Sequence, residues 1–70
     1  MTSMQEISHR AQIALKTSSL YALRMVTVEQ AADGLILTGR VSTFYQKQQA
    51  QELVRTFAGE TLVTNQIEVT

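Results

Sequence analysis

His9 is the only histidine in the chain, and there is no cysteine. A metal site needs three or four converging ligands. His9 has no cysteine to join it, and Ile13 stands four positions on, where an acidic partner would be needed. A solvated helix face accounts for it. The six acidic residues are scattered singly, so general acid–base chemistry by a carboxylate pair has no pair to use. Ser42 and Thr43 carry hydroxyls, but they stand directly before a helical pattern, where capping calls for residues of this type. Gly34, Gly39 and Gly59 do not build a phosphate-binding loop, because no glycine-rich run leads into Lys followed by Ser or Thr. The chain therefore reads as a non-enzyme, with no cofactor, metal or small-molecule substrate expected.

Composition narrows the classes further. Seventy residues make one domain over 1–70. A domain of this size buries only roughly 60% of the surface its unfolded chain exposes, so its stability margin is thin. Without cysteines no disulfide can reinforce it, and self-association is the remaining common support. Six basic residues balance six acidic ones. A nucleic-acid binder normally carries a basic excess to neutralise phosphates, so nucleic acid is not an expected partner. An RNA-binding KH domain, of similar small α/β shape, also requires a GXXG loop, which is missing here. The N-terminal stretch MTSMQEISHRAQIALK lacks the basic start and uninterrupted apolar core of an export signal. No run approaches membrane-span length, so the default expectation is the cytoplasm.

Periodicity supplies the elements. A first helix is expected over about Ser3–Ser18, with Met4, Ile7, Ala11, Ala14 and Leu15 as its buried stripe and Gln5, His9, Gln12 and Lys16 on the far side. Ser3 and Glu6 form a capping-box pattern. Ile13 points away from the stripe. A strand follows over about Leu23–Gln30, with Val26 and Val28 inward, then a turn at Ala31–Gly34 longer than two residues. Its Asp-Gly pair signals a hairpin. The return strand runs over Leu35–Val41, with Gly39 on the inward face where a helix can approach closely. A second helix starts near Thr43, which forms another capping box with Gln46. Ala50, Leu53, Val54 and Phe57 make its buried stripe, and Gly59 ends it as an αL residue. Val63, Ile67 and Val69 then alternate inward as a third strand, with Asn65 among them. The fold class is α+β, in the order αββαβ, with two helices on one face of a three-stranded sheet. The other face is left open, as antiparallel hairpin sheets permit.

Taken together, these residues resemble a BON domain, a bacterial module named for osmotic-stress and nodulation proteins. The resemblance is carried by Ala14-Leu15, Val26-x-Val28, Gly34-Leu35-x-Leu37-x-Gly39-x-Val41, Lys47-Gln48-x-Ala50 and Gly59-x-x-x-Val63-x-Asn65-x-Ile67-x-Val69. It spans nearly the whole chain. Glu60 departs from it, since an apolar residue usually follows the glycine at Gly59. The resemblance implies an αββαβ fold without enzymatic activity, often in envelope proteins, with phospholipid or membrane association as the usual role. It marks Gly34, Gly39, Ala50, Gly59 and Asn65 as structural. Many members carry two copies and an export signal or lipid anchor; this chain shows a single copy.

Two groups of residues lack a place in the expected core. At the end opposite the hairpin turn, Tyr21, Phe44 and Tyr45 are expected to gather beside Lys16, Arg40 and Lys47. Aromatic rings beside cations suit a lipid headgroup layer or a protein hot spot; alternatively Phe44 folds over the core edge and the tyrosines cap it. The second group is Ile13 on the first helix with Met25 and Ile36 on the open sheet face. Together with the thin margin they suggest a homo-oligomer, and a third strand at a sheet edge could pair with another copy. The function expected is a self-associating contact module in envelope or stress-related assembly. The alternative is a monomeric module that binds a phospholipid surface.

Overall fold

The computed structural model describes residues 3–70. Met1 and Thr2, the start of the stretch read above for an export signal, lie outside them. The elements are α1 (Met4–Lys16), α2 (Tyr21–Arg24), β1 (Thr27–Ala31), β2 (Gly34–Thr38), β3 (Arg40–Val41), α3 (Phe44–Ala58), β4 (Leu62–Asn65) and β5 (Glu68–Val69). The fold is α+β, with helices packed on one face of a three-stranded sheet ordered β1-β2-β4.

Each long helix starts where its cap dictates. Ser3 Oγ accepts from Glu6 N–H at 3.1 Å. Glu6 does not return the bond; its carboxylate turns outward to Arg10 at 2.9 Å, so only half of the expected box forms. At Thr43 the box is complete: Thr43 Oγ1 accepts from Gln46 N–H, and Gln46 Oε1 accepts from the N–H groups of Thr43 and Ser42. Ala11 and Leu15 of α1 are buried against Ala50, Val54 and Ala58 of α3 and against Leu35 and Leu37 of β2 in one core. Ala58, not Phe57, completes the α3 stripe. The Phe57 ring is exposed, because the helix turns its last buried position to the small residue.

The segment Leu23–Met25 is not strand, contrary to expectation. Tyr21–Arg24 forms one helical turn, and β1 starts only at Thr27. Leu23 and Val26 are both buried, three residues apart as on a helix, and Val26 N–H bonds Leu23 O at 3.2 Å. Tyr, Ala, Leu and Arg do not resist the turn, and the two apolar anchors fix it. Met25, placed above on the open sheet face, is instead the C-cap of this turn.

Ala31 pairs with Gly34, so the hairpin loop is the two residues Ala32 and Asp33, shorter than expected. Neither has positive φ, so the loop is not one of the mirror-image turns that Asp-Gly usually signals. The glycine serves the other side of the strand. Gly34 lies opposite Leu62 in the parallel pairing of β2 with β4, and a Cβ there would stand 2.2 Å from Leu62 O. Gly39 divides the return strand at φ +139°, and a Cβ there would meet the Met25 carbonyl at 3.0 Å. The close neighbour is the end of α2 rather than a packed helix. Gly59 has φ 61° and ψ −120°, outside αL. With Thr61 N–H bonding Ala58 O at 3.0 Å, it holds the first central position of a type II′ turn. Glu60 sits in that turn, exposed.

The C-terminal strand is interrupted at Gln66 and Ile67, yet its register holds. Leu37 pairs with Asn65, and beyond the break Arg40 pairs with Glu68 and Val41 with Val69. Gln66, Glu68 and Thr70 donate N–H groups to Leu37, Gly39 and Val41 O, each at 2.9 Å. Ile67 is buried, but Val69 is exposed, since the core ends before it.

Gln12 was expected on the solvent side of α1. It lies at the border of the stripe and reaches the outer edge of β1. Its Nε2 donates to Val26 O at 3.0 Å and its Oε1 accepts from Val28 N–H at 2.8 Å. One side-chain amide thus supplies the two bonds that a neighbouring strand would make. Gln12→Ala is expected to cost about 1–2 kcal/mol, because a donor and an acceptor on half-buried backbone lose their partners. Chemical denaturation measures it, and faster amide exchange at Val28 locates it. An unchanged midpoint would mean that water replaces the amide at no cost.

Candidate functional site

The most concentrated exposed apolar surface is a cap formed by α2 and the first turn of α3. α2 packs against both α3 and β3, and Leu23 of α2 lines one open groove with Tyr45, Gln48, Gln49 and Leu53 of α3. Leu20 and Met25 bracket α2, and both are exposed. Tyr21 begins it with 71% of its surface open, and Phe44 and Tyr45 begin α3 at 68% each. Rings this exposed do not fold over the core edge, so that alternative for Phe44 and the tyrosines does not hold. Phe44 and Tyr45 follow the Thr43 cap directly, and Tyr21 opens α2 after Leu20.

Four basic residues lie on or next to the elements that carry these rings. Arg24 lies over the Tyr21 ring, 5.9 Å from its centroid, and is held there by its own bonds to the Ser18 and Ser19 carbonyls. Lys16 ends α1 just before the α2 turn. Arg40, on β3, pairs with Glu68 at 3.3 Å with both side chains largely in water; such a pair is worth little and leaves the guanidinium available. Lys47, one turn into α3, is half-buried and makes no ion pair among the described residues.

The second expected group does not form one surface. Ile13 is exposed on α1, Met25 caps α2, and Ile36 is half-buried in the centre of the open sheet face. Ile36 does have an apolar neighbour there. Leu62, 55% exposed, projects on the same face two residue pairs along the ladder, opposite Gly34. Starting the third strand at Val63 hid it; the alternation of Leu62 with Thr64 was the available signal. Leu20 and Arg24 also escaped the sequence reading, because a strand was expected where α2 forms.

The chemistry-bearing residues stay apart. His9 is exposed on α1 beside Gln5, Glu6 and Gln12. Among the described residues no three of His, Cys, Asp or Glu come together to hold a metal ion. No helix among them is long and apolar enough to cross a membrane. The glycines and Asn65 hold backbone geometry, and Ala50 sits in the helix contact.

The sequence profile of the BON domain matches residues 11–70. This chain belongs to the BON domain family. The match takes in the second half of α1 and every later element, so it covers both the cap and the sheet. BON domains are generally non-catalytic binding modules, and the family is generally envelope-associated. No curated protein sequence matches the chain.

Proposed function

We propose that this BON domain is a non-catalytic contact module that docks through the α2–α3 cap onto anionic phospholipid headgroups. The observation that carries the reading is the grouping of exposed Leu20, Tyr21, Met25, Phe44 and Tyr45 with Lys16, Arg24, Arg40 and Lys47 around one end of the fold. Aromatic rings settle at headgroup depth while cations reach lipid phosphates, each cation near the surface adding about 1 kcal/mol. The formal net charge of zero leaves attraction local to the cap, so binding weakens as salt shortens the screening length.

Vesicle co-sedimentation tests this reading. Vesicles containing phosphatidylglycerol are expected to carry the protein down and neutral phosphatidylcholine vesicles to leave it in solution. Phe44→Ala with Tyr45→Ala should reduce binding about tenfold or more, as two interfacial rings are lost. These side chains lie outside the core, so the helix content should not change. Equal sedimentation with neutral vesicles, or with the double variant, would sink the lipid reading.

Self-association within an envelope or stress-related assembly is the second reading. The adjacency of Ile36 and Leu62 on the open sheet face favours it, with Ile13 on the opposite side as a further contact. Light scattering across concentration separates the two, since only this reading requires the mass in solution to rise.

A further inference from the structure

The two edges of the sheet are not equivalent. At β1 the Gln12 amide occupies the outer bonds of Val26 and Val28. At β4 the pattern Gln66, Glu68 and Thr70 to the central strand means that even-numbered residues face inward. Val63 and Asn65, one residue out of phase, turn their N–H and C=O groups to the outside. Farther along, the Ile67 N–H is closed by Asn65 Oδ1 at 3.1 Å. The open stretch is therefore Val63–Asn65.

A groove adjoins the Val63 end of that stretch. Gln51 and Arg55 of α3 form one wall, Leu62 and Val63 the other, and the Gly59–Thr61 turn closes one end, enclosing about 470 Å3. Farther along the strand Asn65 donates to Lys47 O and Gln51 Oε1, each at 3.1 Å, and so holds α3 beside β4. Lys47, Gln51 and Arg55 follow one another at four-residue spacing, so they share a stripe of α3 along the strand edge. Neither cation makes an ion pair among the described residues. Glu60 lines the turn end and disfavours an acidic group beyond Arg55.

We propose that this groove takes an extended, acidic segment of a partner protein, which adds to β4 as an outer strand. Main-chain bonds to Val63 and Asn65 hold the segment, and its side chains on the helix side meet the α3 stripe. Lys47 and Arg55 are about 12 Å apart along the helix, and residues four apart on a strand are about 13 Å apart. The segment thus carries acidic side chains at positions i and i+4, with an uncharged polar residue between them facing Gln51. A second copy of this chain does not fit. Its β1 edge is already filled by Gln12, and pairing β4 with β4 would set the two cationic stripes against each other.

The probe is the peptide acetyl-Thr-Glu-Val-Gln-Val-Glu-Thr-amide, titrated into the 15N-labelled domain. Amide shifts and slowed hydrogen exchange are expected at Val63 and Asn65, with Val28 unchanged. A peptide with lysine in place of both glutamates should bind at least about tenfold more weakly, as should the original peptide to Arg55→Glu. Arg55 is exposed and makes no ion pair among the described residues, and unchanged circular dichroism confirms that the variant folds. Equal affinity for the two peptides, shifts confined to the α2–α3 cap, protection of Val63 and Asn65 by dimerisation without peptide, or no shift at millimolar peptide would each overturn the proposal.

Discussion

Replacing Gly34 with alanine is expected to remove a large share of the protein's stability or to detach β4 from the sheet. The added Cβ would lie 2.2 Å from Leu62 O and 3.0 Å from both Leu62 C and Cβ. The obstacle is backbone in a paired strand, so no side-chain rotation relieves it. Parting the strands to ordinary contact distance would break the β2–β4 pairing where it begins, at Gly34–Leu62. Overpacking typically costs about 1–3 kcal/mol, and a backbone obstacle that no rotamer relieves puts this case at or above the top of that range. A domain of this length holds roughly 4–10 kcal/mol in all, so the loss is a large share. Gly59→Ala is the control. Nothing lies within 4 Å of a Cβ there, and only the backbone angles, φ +61° and ψ −120°, resist it, which costs about 1–3 kcal/mol. Denaturation midpoints of the two variants should therefore differ clearly, Gly34→Ala being much the lower. If Gly34→Ala matches Gly59→Ala, close approach of β4 is not what requires the glycine.

Gly34 also shows what a sequence makes legible. Its importance was visible, but the reason was not. Asp33-Gly34 reads locally as a turn signal, whereas the strand that needs the missing side chain arrives from residues far along the chain. The same division runs through the fold. Strands and helices with a regular stripe, such as Leu35-x-Leu37 or Ala50 with Val54, declare themselves by period. The α2 turn, the break at Gly39 and the joint at Gln66–Ile67 depend on which backbone lies alongside, and periodicity carries no such information. Gln12 is the sharpest case. On a helical wheel it borders the stripe, and only the placement of β1 decides that its amide serves a strand edge.

The candidate surface was legible in the same partial way. Phe44 and Tyr45 fall off the α3 stripe, and that alone predicts exposure. Arg24 over Tyr21 could not be read, because three residues of separation mean contact on a helix and none on a strand. Ile13, Met25 and Ile36 were grouped by a shared property, being apolar outside the core. The fold distributes them over three elements, because exposure carries no address. Leu62 shows the converse: its one-residue omission from the strand removed the neighbour that gives Ile36 a context.

The second large effect is expected at Asn65. Its amide nitrogen donates to Lys47 O and Gln51 Oε1, and its carbonyl oxygen accepts the Ile67 N–H, all at 3.1 Å. One side chain therefore ties α3 to the sheet and satisfies a main-chain donor where the C-terminal strand breaks. Ile67 is almost fully buried, so water is a poor substitute at that N–H. Asn65→Ala should cost about 2–4 kcal/mol, the sum of three modest bonds and one stranded donor. Asn65→Asp separates the two tasks. Aspartate retains an acceptor for Ile67 but presents no donor to Lys47 O and Gln51 Oε1, and its charge faces two oxygens. Destabilisation by Asp equal to that by Ala would assign the main role to the α3 tie. An Asp variant with near-native stability would overturn it and leave only the turn at Ile67. Denaturation midpoints measure the cost, and hydrogen exchange at Ile67 should quicken in the Ala variant but not in the Asp variant. Because the tie also fixes the wall of the β4 groove, exchange at Gln51 in α3 should rise with it.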